Sequence, residues 1–380
     1  MKGDDKKESA SKRWMRSPER RTYCDGVTFM PSGNVSNDTL NLWRGWAVSP
    51  DPSASCKLLV AHVRDVICSG NAGYAKFVLG WLADLVQHPD KKPGVAMVLK
   101  GGKGVGKDTL GEYVARMIGR RHAPTVSQSA HITGRFNSRL SAALLLHIQE
   151  GIWAGDKEDE SVLKYLITSS TVEIERKGID STSEPSFFRI FMTANADWVV
   201  PASEDERRFA VFEVSSTRRG DRKYFDALHA EMENGGPAAL LHFLQEYDLS
   251  NFDVHDVPAT EGLCNQKLAT LKDIQAWWYD RLTVGIPPNG SDAQCWFSEI
   301  QISREALRRD YMDWRLSQKH QSNPLDEARF GRAMREMVPS LKSRRPRDNG
   351  SRSWQYTFPP LAVCRPEFEA KLGSTIKWED

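Results

Sequence analysis

At 380 residues, 40% of them hydrophobic and 27% charged, the chain has material for two or three globular domains of roughly 150 residues each. A formal net charge of +2 excludes a strong global field for polyanions, so any such contact has to be local. No apolar run reaches the ~20 residues of a membrane helix, and the charged stretch Met1–Arg21 lacks the apolar core of an export signal, so a cytoplasmic protein with no membrane partner is expected.

In chain order, residues 1–21 predict a disordered basic tail, being polar and nearly free of large apolar side chains. Residues 22–92 predict a mainly helical N-terminal segment. It opens with short strands and turns around Phe29, Trp43 and Trp46. Helical spacing over 57–87 then puts Phe77, Trp81, Leu82, Leu85 and Val86 on one face. Pro89 and Pro93-Gly94 end that stretch. From 93 to 255 the pattern is α/β. Val95–Leu99 is a buried parallel strand, a glycine-rich loop follows, and helical spacing resumes over 110–118. Further buried strands are expected at Ala142–Ile148 and Phe187–Thr193, giving a parallel sheet. Residues 256–380 predict helices around 265–282, 303–320 and 326–338, then strand, basic turn and strand over Ser340–Phe358, a winged-helix-like order. The six cysteines, Cys24, Cys56, Cys68, Cys264, Cys295 and Cys364, form no CxxC pair, which speaks against a structural zinc site and fits reduced thiols.

The chemistry concentrates in Gly101-Gly102-Lys103-Gly104-Val105-Gly106-Lys107-Asp108-Thr109. Glycines let successive backbone N–H groups turn inward on phosphate oxygens, and the following helix adds its positive end. Lys107 would reach the β- and γ-phosphates of ATP. The usual pattern puts Ser or Thr directly after the lysine to hold Mg2+. Here Asp108 stands there and the hydroxyl comes one later, at Thr109, so either is a candidate metal ligand. Downstream, Leu144–Ile148 leads into Gln149 and Glu150. Glu150 sits where a base for the attacking water belongs, and Gln149 takes the place of the metal-orienting Asp. Asn195 ends the strand Phe188–Ala194, in position to sense the γ-phosphate. Arg207 and Arg208 follow, either of them suited to reach a neighbouring subunit's γ-phosphate; the residue types do not rank the two.

This order of motifs resembles the superfamily 3 helicases, and more narrowly the primase-associated helicases of phages and plasmids. Glu173–Gly178, with Arg176 and Lys177, is similar to the family's channel hairpin, which implies that these two grip DNA. The resemblance implies an AAA+-like core and a hexameric ring with ATP at each subunit boundary. It also implies movement on single-stranded or forked DNA inside a bacterial host, with a primase or polymerase domain or protein as partner. In the C-terminal turn, Arg344, Arg345, Arg347 and Arg352, with Trp354 and Tyr356 behind them, have the chemistry of a wing along a phosphate backbone. Two rival readings stand beside this one. The first is a degenerate P-loop initiator or scaffold that binds DNA with little hydrolysis. The second is a P-loop small-molecule kinase.

Overall fold

The computed structural model describes residues 9–127, 137–149, 157–195, 200, 206–288, 296–319, 323–345, 347–348, 351–352 and 354–378, with backbone alone at 157–159, 179, 347–348 and 351–352. Part of the tail expected to be disordered is helical: α1 spans Ala10–Arg16, capped by Ser9, with no buried residue. Two-residue strands β1 (Val27–Thr28) and β2 (Leu40–Asn41) pair in parallel. Helix α2 (Lys57–His62) runs into a π turn over Val63–Ile67, and α3 (Ala72–Gln87) follows. The periodic stretch is thus two helices, broken where Ser69 (φ 51°) and Gly70 (φ 80°) enter the left-handed region. Asn71 restarts the chain by accepting the Tyr74 N–H at 3.1 Å.

Strand β3 (Ala96–Lys100) feeds the glycine loop and α4 (Lys107–Ile118). Then come β4 (Thr125–Val126), β5 (Leu145–Gln149), α5 (Lys157–Thr168), and the antiparallel pair β6 (Thr171–Arg176) and β7 (Ile179–Pro185). Strands β8 (Arg189–Ala194) and β9 (Phe209–Glu213) complete a five-stranded parallel sheet in the order β4-β5-β8-β3-β9. β5 starts three residues later than expected because Ser138–Ala142 coils into a 3-10 turn. The run Phe209–Glu213, directly after the arginine pair, adds an edge strand not expected from the sequence.

Alternation along each strand divides the core between the two faces of the sheet. Met97, Leu99, Phe191, Ala210 and Phe212 face one cluster, which includes α3, α4 and the helices α6 (Arg222–Glu233) and α7 (Gly236–Gln245). Ala96, Val98, Ile190, Met192 and Val211 face the other, with Leu163, Leu166 and Ile167 of α5 and Ile174 of β6. Residues 22–92 therefore share the core of the sheet: Phe29, Trp81 and Leu85 lie in the same cluster as Leu110.

Helix α8 (Glu261–Ala269) joins two cores. Leu263 belongs to the sheet's cluster and Cys264 to a third, C-terminal one. The rest of that unit is α9 (Asp273–Val284), β10 (Ile300–Ser303), α10 (Arg304–Ser317), α11 (Glu327–Met337), β11 (Lys342–Arg344), the short pair β12 (Arg347–Asp348) and β13 (Ser351–Arg352), β14 (Gln355–Phe358) and α12 (Leu361–Leu372). β10, β14 and β11 form an antiparallel sheet in that order. The expected helix over 265–282 is two, α8 and α9, parted at Thr270–Lys272. Among the described residues no helix is long and apolar enough to cross a membrane.

One buried contact fixes α3 to the sheet. The Arg189 guanidinium, fully buried at the start of β8, lies 2.8 Å from an Asp84 carboxylate oxygen. It also donates to the Asp84 carbonyl at 3.1 Å and the Trp81 carbonyl at 3.4 Å, closing the C-terminal end of the helix. Arg189→Ala is expected to lower the unfolding free energy by roughly 3 kcal/mol, because a half-buried carboxylate and helix-end carbonyls lose their donor. Urea denaturation measures this, and the double variant Arg189→Met with Asp84→Ala is expected to recover part of the loss.

Candidate functional site

The register of the sheet brings the predicted residues together. Lys100 lies opposite Ala194, and Gln149 opposite Thr193, so the glycine loop, Asn195 and Gln149 all leave the sheet at its carboxyl edge. That edge is where open α/β sheets present ligand sites. Gly104 (φ 74°) and Gly106 (φ 94°) turn the loop into α4. A Cβ at Gly106 would lie 2.6 Å from His62 Cε1 and 2.8 Å from Phe225 Cε1, so the helix start is closed to any side chain. The His62 ring clamps this point, Nε2 donating to the Gly106 carbonyl at 3.1 Å and Nδ1 accepting the Tyr224 hydroxyl at 2.9 Å. Burial lowers the His62 pKa, which suits this neutral tautomer.

The Lys107 ammonium is 2.7 Å from the Gly101 carbonyl, 2.8 Å from the Gly102 carbonyl and 2.7 Å from Asn195 Oδ1. The loop lysine and the strand-end asparagine, 88 positions apart, are thus in direct contact. Beside them is a cleft of about 80 Å³ lined by Lys107, Asp108, Gln149, Thr193, Ala194 and Asn195. Asp108 is 61% exposed at the side chain, whereas Thr109 is buried. Thr193 donates its hydroxyl to Asp108 Oδ1 at 2.7 Å, and Gln149 Nε2 approaches the same oxygen at 3.5 Å. Behind Thr193, His147 Nε2 is 3.2 Å from the threonine oxygen. Burial takes the His147 pKa down to about 4, the Asp108 charge working against that shift.

His62, Tyr224, His147 and Thr193 were missed in the sequence. Thr193 and His147 carry a signal in retrospect: each lies two positions before a residue picked for the site, and alternate positions on a strand share a face. His62 and Tyr224 meet the loop only through tertiary packing. Glu150 lies outside the described residues. Gly102 and Lys103 lie in the loop ahead of the turn, and Val105 is buried.

The two arginines differ. Arg208 bonds Glu206 at 3.2 Å, a carboxylate whose side chain is fully buried and which also lies 3.7 Å from Lys164. Arg207 is exposed, with no ion pair among the described residues. Both precede Phe209, which pairs with Ala96 at the opening of β3. They therefore sit at the amino edge of the sheet, roughly 15 Å along the strands from the glycine loop of the same chain.

On the hairpin, Arg176 folds back onto Glu184 at 2.7 Å rather than standing at the tip, which is the exposed Lys177 and Gly178 (φ 75°). In the C-terminal unit Arg344 donates to Gln301, and Arg345 lies 5.8 Å from the centroid of the Trp354 ring. Arg347 and Arg352 face each other across β12 and β13, their side chains outside the described residues. Arg329, Arg332 and Arg335 are exposed on α11, and Arg335 donates to Ser343 of β11 at 3.5 Å.

A family model described as a family of unknown function (DUF5906) matches residues 99–208, the span from the end of β3 to the arginine pair. A DNA primase-polymerase of Nitratiruptor phage NrS-1 is 23% identical over 223 residues, which is 55% of this chain and 30% of that protein. The chain thus spans less than a third of that relative's length. The apo structure of the NrS-1 C-terminal region aligns with a TM-score of 0.65 at 16% identity, covering 88% of this chain and 84% of that one. The two share a fold. A JCV helicase structure aligns over 60% of the chain with a TM-score of 0.35, too low to carry an argument.

Since the folded protein holds His147 neutral until about pH 4 while an unfolded chain protonates it near 6.5, its contribution to stability is full above pH 6.5 and is lost as pH falls toward 4. Urea unfolding at stepped pH is expected to show a shallower decline over that window in His147→Gln. Arg208→Ala is expected to lower the melting temperature, because the buried Glu206 loses a partner, while Arg207→Ala leaves it unchanged.

Proposed function

We propose that the chain is an ATP-driven DNA translocase of phage replication, a helicase that works as a ring of copies. The observation that carries this reading is the contact of Lys107 with Asn195 and the Gly101 and Gly102 carbonyls, at the carboxyl edge of a parallel sheet. A lysine ammonium held by two carbonyls and an amide oxygen is poised to exchange them for phosphate oxygens. The loop amides would then enclose the phosphates, and Asn195, released from Lys107, would meet the γ-phosphate or the attacking water. Asp108 is an oxygen donor beside the loop and suits Mg2+, which takes few protein ligands and shares its shell with phosphates and water. Mg2+ when bound offsets negative charge on the β and γ oxygens. Glu150, next after Gln149, is the expected base.

The arginines support a shared site. At the amino edge they are too far from their own loop, so an arginine at the γ-phosphate has to come from another copy. Arg207 is the better placed, since Arg208 is engaged with Glu206. For DNA, the Lys177 tip and the β11–β14 turn with α11 provide basic surface, and the C-terminal order of strand, two helices, strand, hairpin and strand suits a winged helix. The replication setting comes from the NrS-1 primase-polymerase, whose C-terminal region has this fold. A basic hairpin tip and basic turn have no place in a small-molecule kinase. Gln149, an amide where a carboxylate is usual, favours as second reading a DNA-binding scaffold with slow hydrolysis.

ATP turnover with and without forked DNA decides between them. The wild type is expected to hydrolyse ATP faster with DNA and to separate the fork, and Lys107→Ala to lose both while keeping salt-sensitive DNA binding. Unwinding by Lys107→Ala would sink the reading. Mixing inactive Lys107→Ala with inactive Arg207→Ala is expected to restore part of the turnover, because some boundaries then pair an intact loop with an intact arginine. No recovery on mixing counts against the shared site.

A further inference from the structure

Two departures from the common P-loop pattern stand in this chain: Asp108 replaces the hydroxyl after the lysine, and Gln149 replaces the carboxylate ending the neighbouring strand. In the common arrangement Mg2+ is held by the loop hydroxyl and the strand carboxylate together. Here the next hydroxyl along, Thr109, is buried and does not line the cleft. A hydroxyl enters the cleft from β8 instead, Thr193 Oγ1 at 2.7 Å from Asp108 Oδ1.

The proton count defines how this pair is held. A carboxylate can only accept, so the single Thr193 proton goes to Asp108. His147 Nε2, 3.2 Å from the same threonine oxygen, must then be the donor, which puts a proton on Nε2. The ring is fixed in turn. It packs 4.9 Å from the centroid of Phe191, and a Cβ at Gly111 of α4 would come within 2.8 Å of His147 Cε1, so only glycine lets helix and ring approach this closely. Thr193 keeps one lone pair and Asp108 its second oxygen.

We propose that the carboxylate and the hydroxyl have exchanged elements, so that Asp108 of the loop helix and Thr193 of β8 together form the divalent-cation seat, with His147 as the positioning residue that orients the Thr193 oxygen. This rests on the nucleotide-site reading above. It accounts for both departures at once: a carboxylate in the loop makes one at Gln149 unnecessary. A seat of two protein oxygens suits Mg2+, which completes its shell with phosphate and water.

The test titrates Mg2+ into the full chain with a fluorescent ATP analogue and reads binding, not turnover, alongside the same analogue in EDTA. Asp108→Asn and Thr193→Val are expected to raise the Mg2+ midpoint by about 10-fold or more, His147→Phe to do the same through Thr193, and Thr193→Ser to stay within about 2-fold of wild type. In EDTA the analogue is expected to bind no more weakly in any of the four, and more tightly in Asp108→Asn, which removes a negative charge from beside the phosphates. The double variant Asp108→Ser with Gln149→Asp, which returns each ligand type to its usual element, is expected to bring the midpoint back toward wild type. Thermal melting confirms that each variant folds. Should a buried variant fail to fold, the exposed Asp108→Asn and the double variant still decide. An unchanged Mg2+ midpoint in Asp108→Asn or Thr193→Val overturns the seat while leaving the nucleotide site intact. A wild type that binds no analogue at any Mg2+ overturns the nucleotide site itself.

Discussion

Strand β8 is held at both ends, and the rest of the architecture is arranged around that. At its start the Arg189 guanidinium is sunk into the C-terminal end of α3. At its finish Thr193 bonds Asp108 and Asn195 bonds Lys107. The strand lies between β5 and β3, so any shift in its register would move the site and the helix anchor together. A buried ion pair is a weak source of net stability, but breaking one is costly. Arg189 thus ties the C-terminal end of α3 to the start of β8. That placement carries α2 and His62 to the far side of the glycine loop.

The parallel sheet also separates what the site needs. The glycine loop, Gln149 and Asn195 leave the carboxyl edge, while the arginine pair stands at the amino edge of β9. About five residues of strand separate the two edges within one chain. The same polarity explains why Arg208 is tied to a buried glutamate while Arg207 is left exposed: one residue of the pair secures the turn into β9 and its neighbour faces outward. On the hairpin, likewise, Arg176 braces β7 through Glu184 and Lys177 holds the tip.

The glycine loop, the strands at its flanks and the strand-end asparagine could be read from the chain, because each depends on local spacing; in the C-terminal unit β10 and α12 were not read from it. Period-two and period-3.6 patterns survive in any compact fold that buries one face. Boundaries were less legible. β5 lost its first residues to a 3-10 turn, the expected helix over 57–87 broke at Gly70, and part of the expected tail wound into α1. β9 was hidden because its five residues follow directly on two arginines that had already been given a role.

By itself, then, the sequence determined the local order of the loop: a lysine after four glycines, with an apolar strand before it and a helix after it. The tertiary structure decided which residues share the site. That Thr193 rather than Thr109 meets Asp108, that His147 stands behind it, and that His62 and Tyr224 close the loop's far side all follow from contacts between residues 44 to 162 positions apart. Local spacing carries no information about such pairs, because which face of α4 meets which strand is settled by how both faces of the sheet bury their apolar side chains.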